Sequence, residues 1–255
     1  MTYYPEVSDL ASELDLDEVD SADPRTWDVL EWLADYDRDR VILYGYGPPD
    51  GGTGDHFYLA YDHGRQDGAL PPFVSVHLHV EADRTSLRAD MQDHPMAPLA
   101  ENWLVGKGAD RDRIRQLAGQ VFFPLGDRES TEAETLLRES GPRFEVLDSR
   151  STQAGDHFET HTVATDRTPP DPGRPVAAFV EFRTGDAPSY LRAASFPTRE
   201  AAAEWIREAG KPQPPTVSAR AEAARLDSRP DAAPQPDAAA ASASSEADRP
   251  RPHRR

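Results

Sequence analysis

His77 and His79 stand two residues apart in the stretch F-V-S-V-H-L-H-V-E, Phe73 to Glu81, and their spacing is the first in the chain that suggests chemistry. Val74, Val76, Leu78 and Val80 alternate with Phe73, Ser75, His77, His79 and Glu81, the pattern of a strand with one apolar and one polar face. On such a strand both imidazoles project to the same side. A zinc-class ion needs three or four nitrogen or oxygen ligands at about 2.0–2.2 Å, so two more must come from neighbouring segments. Asp55 and His56, with Asp62 and His63, lie on or beside the stretch expected to pair with this strand, and Glu81 continues its polar face. The candidate metal set is therefore His77, His79, His56 and Asp55. A divalent ion held there would activate a bound water for hydrolysis. The plainer reading is the wet face of an antiparallel sheet, since H-E-x-x-H is absent. The sequence assigns no catalytic residue and suggests no other cofactor.

Other chemistries find less support. The loop G-P-P-D-G-G-T-G, Gly47 to Gly54, is rich in turn formers, but its spacing fits neither phosphate-cradling pattern, and no helix is expected after it. It reads as a hairpin connection. No G-x-S-x-G elbow supports a serine nucleophile. The chain has no cysteine, which removes disulfides, thiolate metal sites and cysteine nucleophiles together.

Charge sets the kind of partner. The formal net charge is −18, and residues 1–39 alone hold 13 Asp and Glu against 2 Arg. From Lys211 onward 8 basic residues face 6 acidic ones. A surface of this sign repels phosphate backbones, so nucleic acid is disfavoured; it reads first as a plain solubilising surface and, as the alternative, as an acidic patch for a basic protein partner. No leader and no apolar run of about 18 residues is visible, which predicts a soluble, cytoplasmic protein without membrane contact.

The elements that must position these residues follow from periodicity and caps. Helices are expected over residues 5–14 and from Asp23 to about Tyr36, the second with Trp27, Leu30 and Leu33 inward. Strands are expected at 40–46, 55–61 and 73–81, then a helix from Asp83 to about Asp93. Further helices should span 97–105, 110–117 and, capped by Ser130, 131–140, with 120–125 a short strand or connector. Strands at 143–148, 157–164, 176–183 and 190–196 precede a last helix capped by Thr198. The tail beyond Lys211, dominated by Pro, Ala, Ser and Asp, is expected to be disordered.

G-D-H-F occurs twice, at Gly54–Phe57 and Gly155–Phe158. Each copy follows a helix, a strand opening with Arg (Arg40 or Arg143) and a turn-rich loop, and each precedes an apolar strand. This predicts a degenerate tandem α-β-β-β duplication, with Asp55/His56 and Asp156/His157 equivalent and a ligand cleft between the halves. The expected fold is α+β: mainly antiparallel sheets with flanking helices. Its organisation is an acidic segment 1–22, halves 23–125 and 126–210, and the tail 211–255.

The leading functional reading is a non-enzymatic interaction or regulatory protein, and its alternative is a metal-dependent hydrolase on the His77/His79 face. A third reading comes from Val176–Gly210, which resembles the sheet-plus-helix units of some DNA-binding arms. That resemblance implies nucleic-acid contact through Arg183, Arg192 and Arg199, against the charge of the rest of the chain.

Overall fold

Two runs of alternating apolar residues build two antiparallel sheets, and the helices between and after them cover the sheet faces. The computed structural model describes residues 20–21, 24–34, 40–48, 53–65, 71–82, 86–122, 124–185 and 187–209. The order of elements is β1 (Asp20–Ser21), α1 (Pro24–Ala34), β2 (Arg40–Tyr46), β3 (Gly54–Asp62), β4 (Phe73–Val80), β5 (Ser86–His94), α2 (Ala97–Gly106), α3 (Arg111–Val121), α4 (Arg128–Arg138), β6 (Phe144–Ala154), β7 (His157–Asp166), β8 (Val176–Thr184), β9 (Tyr190–Phe196) and α5 (Arg199–Ala209). The sheets run β1-β5-β4-β3-β2 and β6-β7-β8-β9, antiparallel throughout except for the short parallel pair β1–β5. The fold is α+β, as expected. The helix over 5–14 and the tail beyond 211 lie outside the described residues.

Each sheet is covered on both faces. Val74, Val76, Leu78 and Val80 of β4 pack with Val29, Leu30, Trp32 and Leu33 of α1. The other face of the first sheet, carrying Tyr44, Phe57, Leu59, Tyr61 and Phe73, packs against Ala97, Ala100 and Leu104 of α2 and Ile114 and Ala118 of α3. α2 is apolar on its far side too: Met96, just before it, and Leu99 pack with Ala133 and Leu137 of α4 and with Ala177, Phe179 and Leu191 of the second sheet. A helix apolar on both sides must be buried between layers, and α2 joins the two sheets. α5 covers the remaining face through Ala202 and Ile206.

Several expectations are corrected. Where a helix was expected from Asp83 to about Asp93, Ser86–His94 is strand β5. Leu, Arg, Ala, Met and Gln favour helix intrinsically, yet Leu87, Ala89 and Met91 alternate with Arg88, Asp90 and Gln92, and pairing with β4 decides the outcome. Asp127, not Ser130, caps α4, accepting from Ser130 N at 2.8 Å. α3 runs on to Val121, past the Leu117 expected as its end and into the stretch read as a short strand or connector. Trp27 is 57 % exposed, leaving Val29, Leu30, Trp32 and Leu33 as the buried stripe of α1.

The second half retraces the first more fully than α-β-β-β. A short parallel contact precedes each first helix, Ser21 with Leu87 and Leu125 with Ser189. A buried hydroxyl in the first turn of that helix accepts from the fourth strand of the meander: Thr26 Oγ1 from Ala89 N and Ser130 Oγ from Leu191 N, both at 3.0 Å. Beside each hydroxyl an ion pair links the same two elements with its signs exchanged, Arg25–Asp90 at 3.3 Å and Glu129–Arg192 at 3.5 Å. Matching irregularities interrupt β2–β3 at Ile42/Tyr44 and β6–β7 at Val146/Asp148. Arg40–Asp62 and Arg143–Asp166 close the same end of each hairpin. The two halves thus share the order short parallel contact, helix, four-stranded meander, helix.

The G-D-H-F match itself is out of register. Asp62 and Asp166 place β3 and β7 at an offset of 104 residues, whereas Gly54 and Gly155 are 101 apart. Three residues of slip put the tetrapeptides on opposite faces, so Asp55/His56 and Asp156/His157 are not equivalent.

Candidate functional site

The alternation of β3 and β4 divides the proposed metal set between two faces. Asp55 pairs with His79 and Phe57 with His77, so Asp55, His77 and His79 share the face of the first sheet that α2 covers farther along. Ser75, next on that face, is fully buried and donates to Ala100 O at 3.1 Å. The polar face of β4 is therefore covered over half its length and open only at His77 and His79. His56 points the other way, is 2 % exposed, and stacks with Tyr58. His63 and Asp62 lie at the far end of β3, where Asp62 takes Arg40 and Arg65.

The three residues that do meet form a closed hydrogen-bonded cluster. Asp55 Oδ1 lies 2.9 Å from His77 Nε2 and 2.8 Å from His79 Nδ1, so each ring donates to the same oxygen. Partial burial works to raise the Asp55 carboxyl, but the hydrogen bonds from His77 and His79 prevail and hold it below the usual carboxylate range. Glu81 stands 3.8 Å from His79 Nε2. Beside His77 on the next strand, Asp90 takes Lys107 Nζ at 2.7 Å, which holds its carboxyl low. Among the described residues no group of three or more His, Asp or Glu has the arrangement of an ion site.

A second candidate is the cleft between the halves. It is lined by Phe73, Met96 and Pro98 from the first half and by Glu134, Glu181, Arg183 and Leu191 from the second. Its volume of about 30 Å³ holds two or three waters, too little to enclose an organic substrate. Glu134 is engaged with Arg138 at 3.2 Å. Arg183 lies over the Phe158 ring at 4.7 Å. Glu181 has no hydrogen bond or ion pair among the described residues; burial pushes its carboxyl up, Glu134 adds to the rise, and Arg183 opposes it. The register gives Glu181 a counterpart in the first half. It lies between Thr160 and Leu191 as Leu78 lies between His56 and Ala89. Leu78 is fully buried. A carboxyl group stands where the first half has a core leucine.

No family model, curated protein or solved structure matches this chain.

Glu181 was not a sequence candidate. One of 46 acidic residues, it becomes conspicuous only when strand register sets it against Leu78. The arginines of the nucleic-acid reading are each engaged within the chain. Arg192 is bound to Asp127 at 2.7 Å and Arg199 to Asp148 at 2.9 Å, while Arg183 stacks on Phe158. No helix among the described residues is long and apolar enough to cross a membrane.

Proposed function

We propose that the chain is a non-enzymatic interaction protein of the cytoplasm that holds a basic protein partner, seating a lysine or arginine side chain of that partner over Glu181. The observation that carries this reading is a partly buried carboxyl, without a hydrogen bond or ion pair among the described residues, at the register position of a first-half leucine and at the mouth of a cleft lined by both halves. A desolvated charge without a partner destabilises a fold, so its presence favours a role met only on binding. A guanidinium or ammonium at the mouth of the cleft would add a counter-charge to that of Arg183. The net charge of −18 would draw such a partner in.

Glu181→Leu tests this with two readouts of opposite sign. Restoring the residue type of the first half should raise stability by about 1 kcal/mol in urea unfolding, because a raised carboxyl pKa is a cost paid at neutral pH. The same substitution should weaken binding of a short oligoarginine peptide about tenfold by calorimetry at physiological salt. Peptide affinity that ignores Glu181→Leu would sink the reading.

One observation favours a second reading, a metal-dependent hydrolase: three chemically suitable side chains, Asp55, His77 and His79, converge on the open end of a sheet. Against it, the Asp55 oxygen itself fills the space between the two nitrogens. Elemental analysis of untagged protein by plasma mass spectrometry decides between them. The interaction reading expects substoichiometric zinc, manganese and iron; about one ion per chain, lost in His77→Ala/His79→Ala, would replace it with the hydrolase.

A further inference from the structure

Glu181 is not the only polar residue that the second half sets at a core position of the first. Leu30, Leu78, Val80 and Leu87 are buried together between α1 and the first sheet. Strand pairing sets Val80 opposite Gly54 and Arg183 opposite Phe158, so Arg183 stands in the place of Val80 as Glu181 stands in that of Leu78. The short parallel contacts make Ser189 the counterpart of Leu87. The spacing that relates Thr26 to Ser130 sets Glu134 against Leu30. Four neighbouring apolar positions of one half are thus two carboxyls, a guanidinium and a hydroxyl in the other, and all four line the same cleft. Each alone is costly to bury, and four on one patch are the make-up of a binding site.

From this arrangement we infer that the cleft selects a primary ammonium, a partner's lysine Nζ, over a guanidinium. The inference rests on the reading that Glu181 receives a partner's cation, and it names which cation. An ammonium is compact and carries three donors, and the cleft offers three acceptors. The first is Glu181. The second is Glu134: Arg138 Nη1 takes its Oε2 at 3.2 Å, and its Oε1 has no hydrogen bond among the described residues. The third is the hydroxyl of buried Ser189. The Ser189 N–H goes to Pro124 O at 3.0 Å and its carbonyl accepts from Gly126 N at 2.8 Å, while the hydroxyl has no partner among the described residues. Leu191 pairs with Glu181, and Ser189, two residues earlier, shares its face, so hydroxyl and carboxyl are diagonal neighbours. A volume of about 30 Å³ admits a group the size of a water, whereas a guanidinium needs a flat, bidentate seat on one carboxylate. An anion is served less well. Two carboxyls stand against Arg183, whose guanidinium lies over Phe158 at 4.7 Å. α2 begins at the cleft, but Pro98 has no N–H and those of Leu99 and Ala100 go to Met96 O at 3.2 Å.

Calorimetry at physiological salt with oligolysine and oligoarginine peptides of equal length tests the selectivity. Oligolysine should bind about tenfold tighter, and acetylating its side-chain amines should abolish binding. Ser189→Ala removes the third acceptor with little change of volume. It should weaken oligolysine about tenfold and leave oligoarginine nearly unchanged. Glu134→Gln, which keeps an acceptor for Arg138, should narrow the same preference and carries the test if Ser189→Ala disturbs the fold, which circular dichroism checks. Equal affinities that both fall in Glu181→Leu would overturn the selectivity and leave the Glu181 reading standing. So would a preference for oligoarginine, or a preference for oligolysine that neither Ser189→Ala nor Glu134→Gln alters. Affinities that ignore Glu181→Leu would remove the cleft from binding and overturn both. An oligoglutamate peptide that binds, and is lost in Arg183→Leu, would make the cleft an anion site and overturn the inference equally.

Discussion

Glu101→Ala is expected to cost about 3–5 kcal/mol of stability, the penalty for breaking a buried ion pair from one side. Glu101 lies on α2 and is fully buried. Its carboxylate accepts from Tyr44 Oη of β2 at 3.0 Å and from Arg138 Nε of α4. These contacts join the first sheet, the shared helix and the first helix of the second half. Burial pushes the Glu101 carboxyl up, against the pull of Arg138, and the buried Tyr44 hydroxyl is raised well above its ordinary value by desolvation and then by the Glu101 charge. The network is thus expensive to desolvate, and its internal partners offset part of that cost. Alanine leaves the Arg138 guanidinium, 14 % exposed, with only Glu134 beside it. It also leaves a phenol without an acceptor. Urea unfolding at pH 7 measures the loss. Glu101→Gln, which keeps the volume and an acceptor for Tyr44, should cost less, about 1–3 kcal/mol. Glu101→Leu/Arg138→Met should recover much of the alanine loss, because removing both charges removes both desolvation costs. A loss for Glu101→Ala no larger than that of a surface substitution, about 0.5 kcal/mol, would show that water reaches the pair and that it does not hold the halves together.

How much of this was legible in the sequence depended on whether information was local. The alternation of Phe73–Glu81 and the Arg40 start of β2 are written in single stretches, and the α+β architecture followed from such local signals. β5 was not legible, because its residues prefer helix and only pairing with β4 makes them a strand. The tetrapeptide that suggested a duplication is three residues out of register. The correspondences that hold, Thr26 with Ser130 and Arg25–Asp90 with Glu129–Arg192, are unlike in sequence and alike only in position. The metal set failed at His56 for the same reason: adjacent residues of a strand face opposite ways, and β3 turns Asp55 toward His77 and His79 and His56 away. Glu181 required both the register and the repeat to be seen as an anomaly.

The same comparison between halves isolates the chain's clearest acid sensitivity, and His94→Phe is expected to remove it. His94 ends β5 and packs against Trp103 of α2, ring centroids 6.1 Å apart; at the matching place Phe196 meets Trp205 at 5.6 Å. His94 is buried and its Nε2 has no hydrogen-bond partner among the described residues. Burial pushes the imidazole down to about 3. In the unfolded chain it titrates near 6.5. Between those values the unfolded state binds a proton that the folded state refuses, so stability falls as pH falls. From pH 7 to pH 5 the loss from this one residue is about 2 kcal/mol. The carboxylates held low in the fold, Asp55, Asp90, Asp127 and Asp166, forfeit their contribution only below about pH 4, outside this window. Urea midpoints of the wild type and of His94→Phe at pH 7 and pH 5 isolate the effect by difference. The variant should be at least as stable as the wild type at pH 7, since it also removes an unsatisfied buried nitrogen, and should gain about 2 kcal/mol over it at pH 5. An identical pH dependence in both proteins would mean that His94 takes up its proton while folded, and that the Trp103 contact opens to water without unfolding the chain.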